Sequence, residues 1–150
     1  MKGYFEDAET SDLALRGGYF HSGDAAVVHP DYAEIRDRMK DVIISGGENV
    51  YPAEVENAIS LMEGVGEVAV IGVPNEEFGE EVKAVVQPKS WSDAGPELAA
   101  ELMEFCRENI SHIKCPRSVD FEQELPRHPT GKLYKRLLKD RYWAEQGKSI

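Results

Sequence analysis

Four short runs in this sequence hold residues whose types and spacing could do chemistry. The first is Gly18-Tyr19-Phe20-His21-Ser22-Gly23-Asp24. A carboxylate directly after a glycine turn can accept two hydrogen bonds from a sugar diol, and the same residue type also serves as an ordinary turn aspartate. The second, Asp37-Arg38-Met39-Lys40-Asp41, is a dense charge cluster that also reads as a salt-bridged surface connection. The third is Ile44-Ser45-Gly46-Gly47-Glu48-Asn49. Its adjacent glycines let backbone approach a ligand closely, or simply make a turn. The GxGxxG spacing of a dinucleotide-binding loop is absent. The fourth, Pro129-Thr130-Gly131-Lys132, offers a lysine on an exposed turn. It is not a phosphate-cradling P-loop, because Leu133 stands where Ser or Thr is needed and Pro126 where glycine is needed.

Metal and thiol chemistry find less support. His21, His29, Cys106, His112, Cys115 and His128 show none of the short paired spacings of a zinc site, so no metal site is expected. Cys106 falls on an apolar helix face and reads as core. Cys115 lies beside Lys114 with no evident partner base, which argues against a nucleophilic thiol.

The elements that must position these residues follow from periodicity and turn residues. Glu6–Arg16 reads as a short helix closed by Gly17-Gly18. Ala25–His29 and Tyr32–Asp37 read as strands joined at Pro30-Asp31, and Asp41–Ser45 as an apolar strand entering the turn 46–49. Pro52 suits a first helical turn, with Val55, Ile59 and Met62 marking the apolar face. Glu67–Pro74 and Glu81–Pro88 are near-continuous apolar runs, as in inner strands covered by helices. Leu98, Leu102, Phe105, Cys106, Ile110 and Ile113 recur at helical spacing and predict a helix over 97–112. Ser118–Glu122 predicts a strand and Leu133–Trp143 a basic helix. The short strands and hairpin predict an α+β fold: a small mixed or antiparallel sheet flanked by helices, preceded by a β-hairpin and hinge.

Composition narrows the function classes. The 150 residues are one domain's worth, with 41% hydrophobic and 30% charged side chains, the mixture of an ordinary globular protein. Asp and Glu outnumber Lys and Arg 28 to 17, giving a net charge of -11. That argues against non-specific nucleic-acid binding, which needs a basic field. No apolar run approaches a membrane span, and two cysteines fit a reducing cytoplasm. The charge is uneven: residues 43–126 carry 17 acidic and 5 basic side chains, whereas 127–148 carry 7 basic and 2 acidic. The basic run is Arg127, Lys132, Lys135, Arg136, Lys139, Arg141 and Lys148. It is either a solvated helix face or a local positive field that meets an anionic ligand such as a phosphate. The acidic stretch reads as serving solubility.

Each motif singly is weak, but their order and combined spacing are specific. Residues 18–24, 37–56 and 125–133, with Val70-Ile71-Gly72-Val73-Pro74-Asn75, Phe78-Gly79-Glu80 and Lys114-Cys115-Pro116-Arg117, closely resemble the C-terminal part of adenylate-forming acyl-CoA synthetases. The resemblance covers nearly the whole chain and looks closest to the bacterial fatty-acyl-type members. It implies activation of a carboxylic acid with ATP, accompanied by Mg2+, to an acyl-adenylate, then transfer of the acyl group to coenzyme A. It further implies that 1–37 is the end of an N-terminal adenylation domain and 38–150 a mobile C-terminal domain that rotates between the two steps. By position in the family pattern, Asp24 would hold the ribose hydroxyls, Arg38 would contact the nucleotide, and Lys40 would be the hinge. Gly46, Gly47 and Glu48 would belong to the loop lining the pantetheine tunnel, and Lys132 would reach the reacting carboxylate and α-phosphate.

Two departures accompany the resemblance. Relatives have a glycine between the positions of Asp31 and Tyr32, so a reshaped hairpin is expected here. The Ser/Thr/Gly-rich phosphate loop and acyl pocket of the adenylation domain are absent from these 150 residues, so the chain alone is expected to be inactive. The alternative reading is a stand-alone nucleotide- or CoA-contacting module, or an inactive remnant. Apolar residues in 1–37, including Tyr4, Phe5, Leu13, Tyr19 and Phe20, point to self-association.

Overall fold

A computed structural model describes residues 1–145. The chain divides into two compact units, Met1–Lys40 and Asp41–Ile150.

In the first unit, helix α1 (Ala8–Ala14) starts where Asp7 accepts a hydrogen bond from the Thr10 amide at 3.0 Å. It is shorter than the expected Glu6–Arg16, because Glu6 takes a left-handed φ of 53° and Arg16–Gly18 forms a 3₁₀ turn. No residue of α1 is buried. Strands β1 (Asp24–Val28) and β2 (Ala33–Arg38) form an antiparallel hairpin, with an irregularity between Ala25 and Ala26. The tight Pro30-Asp31 turn is closed by the His29 amide donating to the Tyr32 carbonyl at 2.8 Å, and the His29 and Tyr32 rings stack at 4.4 Å.

The second unit is built around a long antiparallel hairpin, β5 (Val65–Asn75) and β6 (Gly79–Pro88), reached through β3 (Ile43–Ser45), β4 (Glu48–Val50) and α2 (Pro52–Ile59). After β6 come α3 (Pro96–Asn109), β7 (Ser118–Phe121) and α4 (Lys135–Glu145). The sheet order is β4-β3-β6-β5, and β7 lies parallel to β6 along residues 83–86, making the sheet mixed and the fold α+β. Strand alternation sends Val68, Val70, Val82, Ala84 and Val86 into one core with Ile43, Val55, Ile59, Leu102 and Cys106. Ala69, Ile71, Val73 and Val85 go to the other face, against Leu125 and Leu138. Both faces of the hairpin are therefore covered, which is why its strands read as unbroken apolar runs.

Boundaries in the second unit also differ from the sequence expectation. The turn expected over 46–49 is a two-residue hairpin loop, and Glu48 and Asn49 belong to β4. Gly46 and Gly47 have φ of 59° and 87°, so both central residues take the left-handed conformations that match the twist of a tight hairpin. The helix expected over 97–112 ends at Asn109, because Ile110 is extended and His112–Lys114 forms a separate 3₁₀ turn. The last helix starts at Lys135 rather than Leu133, since Leu133 is bridged to Arg127 and the Tyr134 amide donates to the Pro126 carbonyl. Among the described residues no helix is long and apolar enough to cross a membrane.

Candidate functional site

The hairpin of the first unit brings Asp24 and Arg38 together. They are cross-strand partners, and the guanidinium lies 2.8 Å from the Asp24 carboxylate. Arg38 also donates to the Ser22 carbonyl at 3.1 Å, and the Met39 amide donates to the Gly23 carbonyl at 2.8 Å, tying the glycine turn to the strand end. Asp24 keeps a fifth of its side chain in solvent and Arg38 more than half, so both remain accessible to a ligand. His21 is held by its own segment, with Nε2 at 2.9 Å from the Arg16 carbonyl. Lys40 is exposed in the turn that follows β2.

In the second unit the Gly46-Gly47 loop sits against the turn between β5 and β6. The Gly46 amide donates to the Phe78 carbonyl at 3.0 Å, and a Cβ on Gly46 would lie 3.1 Å from the Phe78 ring. A Cβ on Gly47 would project into open space. The Arg117 guanidinium covers the Phe78 ring at 4.1 Å, a cation–π contact. Asn75 fixes this turn by accepting from the Glu77 and Phe78 amides, both at 2.9 Å. Glu48 is exposed at the start of β4, opposite Ser45.

Lys132 stands on a loop closed upon itself. The Gly131 amide donates to the His128 carbonyl at 2.7 Å and the His128 amide to the Lys132 carbonyl at 2.8 Å. Gly131 takes a φ of 84°. Arg127 donates to the Gly131 carbonyl at 2.7 Å and to both oxygens of Glu67 at 2.5 and 2.6 Å. Lys132 itself is exposed, and its ammonium has no hydrogen-bond or ion-pair partner among the described residues.

That isolation sets Lys132 apart from the rest of the basic run. Arg127 pairs with Glu67, Lys135 with Glu56 at 2.6 Å, Lys139 with Glu80 at 3.4 Å, Arg141 with Glu122 at 2.9 Å and Arg136 with Asp140 at 3.8 Å. Lys148 lies outside the described residues. The run is therefore neither a purely solvated face nor an open positive field. Four carboxylates of the acidic stretch neutralise it, so that stretch does more than confer solubility. Sequence reasoning misses these pairs because the partners are up to 79 positions apart (Glu56 and Lys135). A lone charged residue near or inside an apolar strand or helix face, as with Glu67 and Glu56, is the one signal that could have raised the question.

The two candidate loops occupy opposite ends of the β5–β6 hairpin. Glu67, which holds the Lys132 loop, pairs with Gln87 at one end, whereas Gly79, beside the Gly46-Gly47 loop, pairs with Asn75 and Ser45 at the other. The strand between Glu67 and Asn75 spans roughly 26 Å at ~3.3 Å per residue.

The thiols and the remaining titratable cluster serve the core. Burial pushes the Cys106 thiol up to about 11, with Cys115 nearby adding to the shift. Burial also raises Cys115, against the opposing charge of Arg107. Neither group is poised as a thiolate. Tyr142 of α4 donates to Asp120 of β7 at 2.5 Å, and Lys83 of β6 donates to the same oxygen at 2.9 Å. This polar cluster fastens α4 to the sheet.

A family model describing the AMP-binding enzyme C-terminal domain matches residues 54–132. The chain belongs to this family. It is 46% identical over 143 residues to feruloyl-CoA synthase of an Amycolatopsis species, covering 95% of this chain and 28% of that relative. It is 41% identical over 145 residues to the long-chain-fatty-acid–CoA ligase FadD13 of Mycobacterium tuberculosis, covering 96% of this chain and 28% of that one. Among solved structures, ATP-bound MatB from Rhodopseudomonas palustris superposes with a TM-score of 0.82 at 37% identity, over 94% of this chain and 28% of that chain. The chain thus spans about a quarter of the length of the relatives it matches. The match to the AMP-binding enzyme C-terminal domain runs from α2 through the Lys132 loop, so it includes both the β5–β6 hairpin and the lysine at its end.

Proposed function

We propose that this chain acts as the C-terminal portion of an AMP-forming carboxylic acid–CoA ligase, with two working loops used in turn. The observation that carries the reading is the separation of the two loops along the β5–β6 hairpin. A lysine ammonium with no carboxylate partner among the described residues sits at one end, and a glycine hairpin whose Gly47 faces open space sits at the other. One reaction centre cannot meet both ends at once, so the two steps need two orientations of this unit.

In the first orientation Lys132 enters the cleft of an adenylation domain. Attack of the acid on the α-phosphate gathers negative charge, and a positioned ammonium in a closed, low-dielectric cleft stabilises it. Asp24 accepts the ribose hydroxyls, and Arg38, already held against Asp24, contacts the nucleotide. The Mg2+ that accompanies ATP is assigned to the adenylation domain. In the second orientation Gly46, Gly47 and Glu48 line the path of the pantetheine arm, and the missing side chains of the glycines leave the thiol its room. Lys40, the last residue of the first unit, is assigned as the hinge: residues 1–37 end the adenylation domain, and 38–150 form the C-terminal domain that turns about it. Without that domain the chain does not turn over, and the apolar surface of residues 1–37 is free for self-association. A cytoplasmic location accords with two free cysteines.

The test is acyl-adenylate formation by the chain joined to an adenylation domain. Lys132→Ala is expected to slow it by about 10²-fold or more, and an unchanged rate would refute the assignment.

A further inference from the structure

We infer that Arg127 and Glu67 form a positioning clasp that aims the Lys132 loop, an inference that rests on the assignment of Lys132 to adenylation. One guanidinium joins three points. Its Nη2 donates to both oxygens of Glu67 on β5, and its Nη1 donates to the carbonyl of Gly131, the residue immediately before Lys132. Arg127 is also bridged to Leu133, the residue immediately after. The lysine is thus flanked on both sides by contacts to the same arginine, while its own ammonium has no partner among the described residues.

The far end of the clasp is equally fixed. Glu67 follows a register shift between Val65 and Glu67, and the residue skipped is Gly66. A Cβ at Gly66 would lie 3.0 Å from the Gln87 carbonyl oxygen, so the irregular backbone there closes tightly on β6 and a side chain would press on that strand. A bulge of this kind redirects the next side chain. The Leu125 amide donates to the Gln87 side chain at 3.1 Å, and Leu125 is almost fully buried, so the chain entering the loop is anchored on the same strand. The clasp therefore transmits the position of the β5–β6 hairpin to the backbone of Lys132.

Stability alone gives this arrangement little to do. Arg127 is 43% and Glu67 35% exposed, and ion pairs so open to water contribute little to folding. Orientation is different, because a reactive group misplaced by about 1 Å can lose up to 10²-fold in rate. The planar fork of arginine meets a carboxylate and a carbonyl together, which the single ammonium of lysine cannot reproduce.

The experiment uses the ligase that carries this chain with its adenylation domain, and follows each half-reaction separately. Arg127→Lys and Glu67→Gln should each lower kcat for acyl-adenylate formation by about 10- to 100-fold. The KM for ATP should be little changed. Thioester formation from supplied acyl-adenylate should change by less than about twofold, and the thermal midpoint by less than about 3 °C. Glu67→Gln keeps the shape of its side chain and so reports on the clasp independently of the packing of Arg127. In a Lys132→Ala background Arg127→Lys should lower adenylation no further, because the arginine acts only through the lysine. The inference is overturned if both half-reactions fall together, if the effect of Arg127→Lys persists without Lys132, or if Lys132→Ala abolishes adenylation while the clasp variants leave it intact. If Lys132→Ala itself leaves adenylation intact, the assignment of Lys132 is what fails, and the clasp falls with it.

Discussion

Replacing Glu56 with alanine should destabilise the second unit far more than the loss of a typical surface carboxylate. Strand β5 is the outer strand of its sheet, and the amide of its fully buried Val70 points away from β6. Glu56, on α2, accepts that hydrogen bond at 2.7 Å and simultaneously pairs with Lys135 of α4, each of the two side chains only 19% exposed. One carboxylate thus covers an open strand edge and ties helices from both faces of the sheet together. Alanine leaves a buried donor unsatisfied, which costs about 1–3 kcal/mol. It also strips a mostly buried lysine of its partner, adding about 1 kcal/mol, so the expected total is about 2–4 kcal/mol. Glu56→Gln retains an acceptor for Val70 and loses only the charge, so it should cost no more than about half as much. Urea denaturation of the chain measures both, and an unchanged slope with a lower midpoint identifies a pure stability effect. Equal losses for alanine and glutamine would refute the role given to the Val70 bond. A loss below about 0.5 kcal/mol for alanine would refute the whole account of the edge.

The cluster around Asp120 predicts two pH dependences with opposite signs. Burial favours the neutral form of Asp120, but hydrogen bonds from Tyr142 and Lys83 outweigh it and hold the carboxyl below its ordinary 3.8. Its contribution should be present above pH 3.8 and lost as pH falls further, and Asp120→Asn should remove that part of the acid sensitivity. Burial, then the bond to Asp120, raises the Tyr142 phenol above its ordinary 10.0. Its contribution should be present below pH 10 and lost as pH rises beyond it, with Tyr142→Phe flattening the alkaline limb of a stability–pH curve. Cys106, buried and raised to about 11, should resist iodoacetamide at pH 8 in the native chain and react fully in urea, as read by peptide mass spectrometry.

The sequence was legible where a local rule determined the outcome. Near-continuous apolar runs identified the β5 and β6 strands, Pro52 marked the start of α2, and Leu98, Leu102 and Cys106 gave the buried stripe of α3. Boundaries failed where a contact distant in sequence decided them. The start of α4 is set by the Arg127–Leu133 bridge, and β4 exists because Glu48 and Asn49 pair back onto β3. The ion pairs were illegible for the same reason, since no spacing links Glu67 to Arg127 or Glu56 to Lys135. The candidate site residues were assigned through family resemblance. Their arrangement was not legible, because the placing of the Lys132 and Gly46-Gly47 loops at opposite ends follows from the register of β5 against β6.

The central claim is that these two loops serve different steps, and the most direct test is a crossed pair of variants in the assembled ligase. Gly47→Leu places a side chain in open space but at a left-handed φ of 87°, so its thermal midpoint is recorded beside the rates, whereas Lys132→Ala removes an ammonium with no partner among the described residues. Acyl-adenylate formation and thioester formation from supplied acyl-adenylate are measured separately for each. The account predicts reciprocal losses: Lys132→Ala lowers adenylation by about 10²-fold or more and largely spares thioester formation, whereas Gly47→Leu blocks thioester formation and spares adenylation. Parallel losses of both steps in either variant would contradict it.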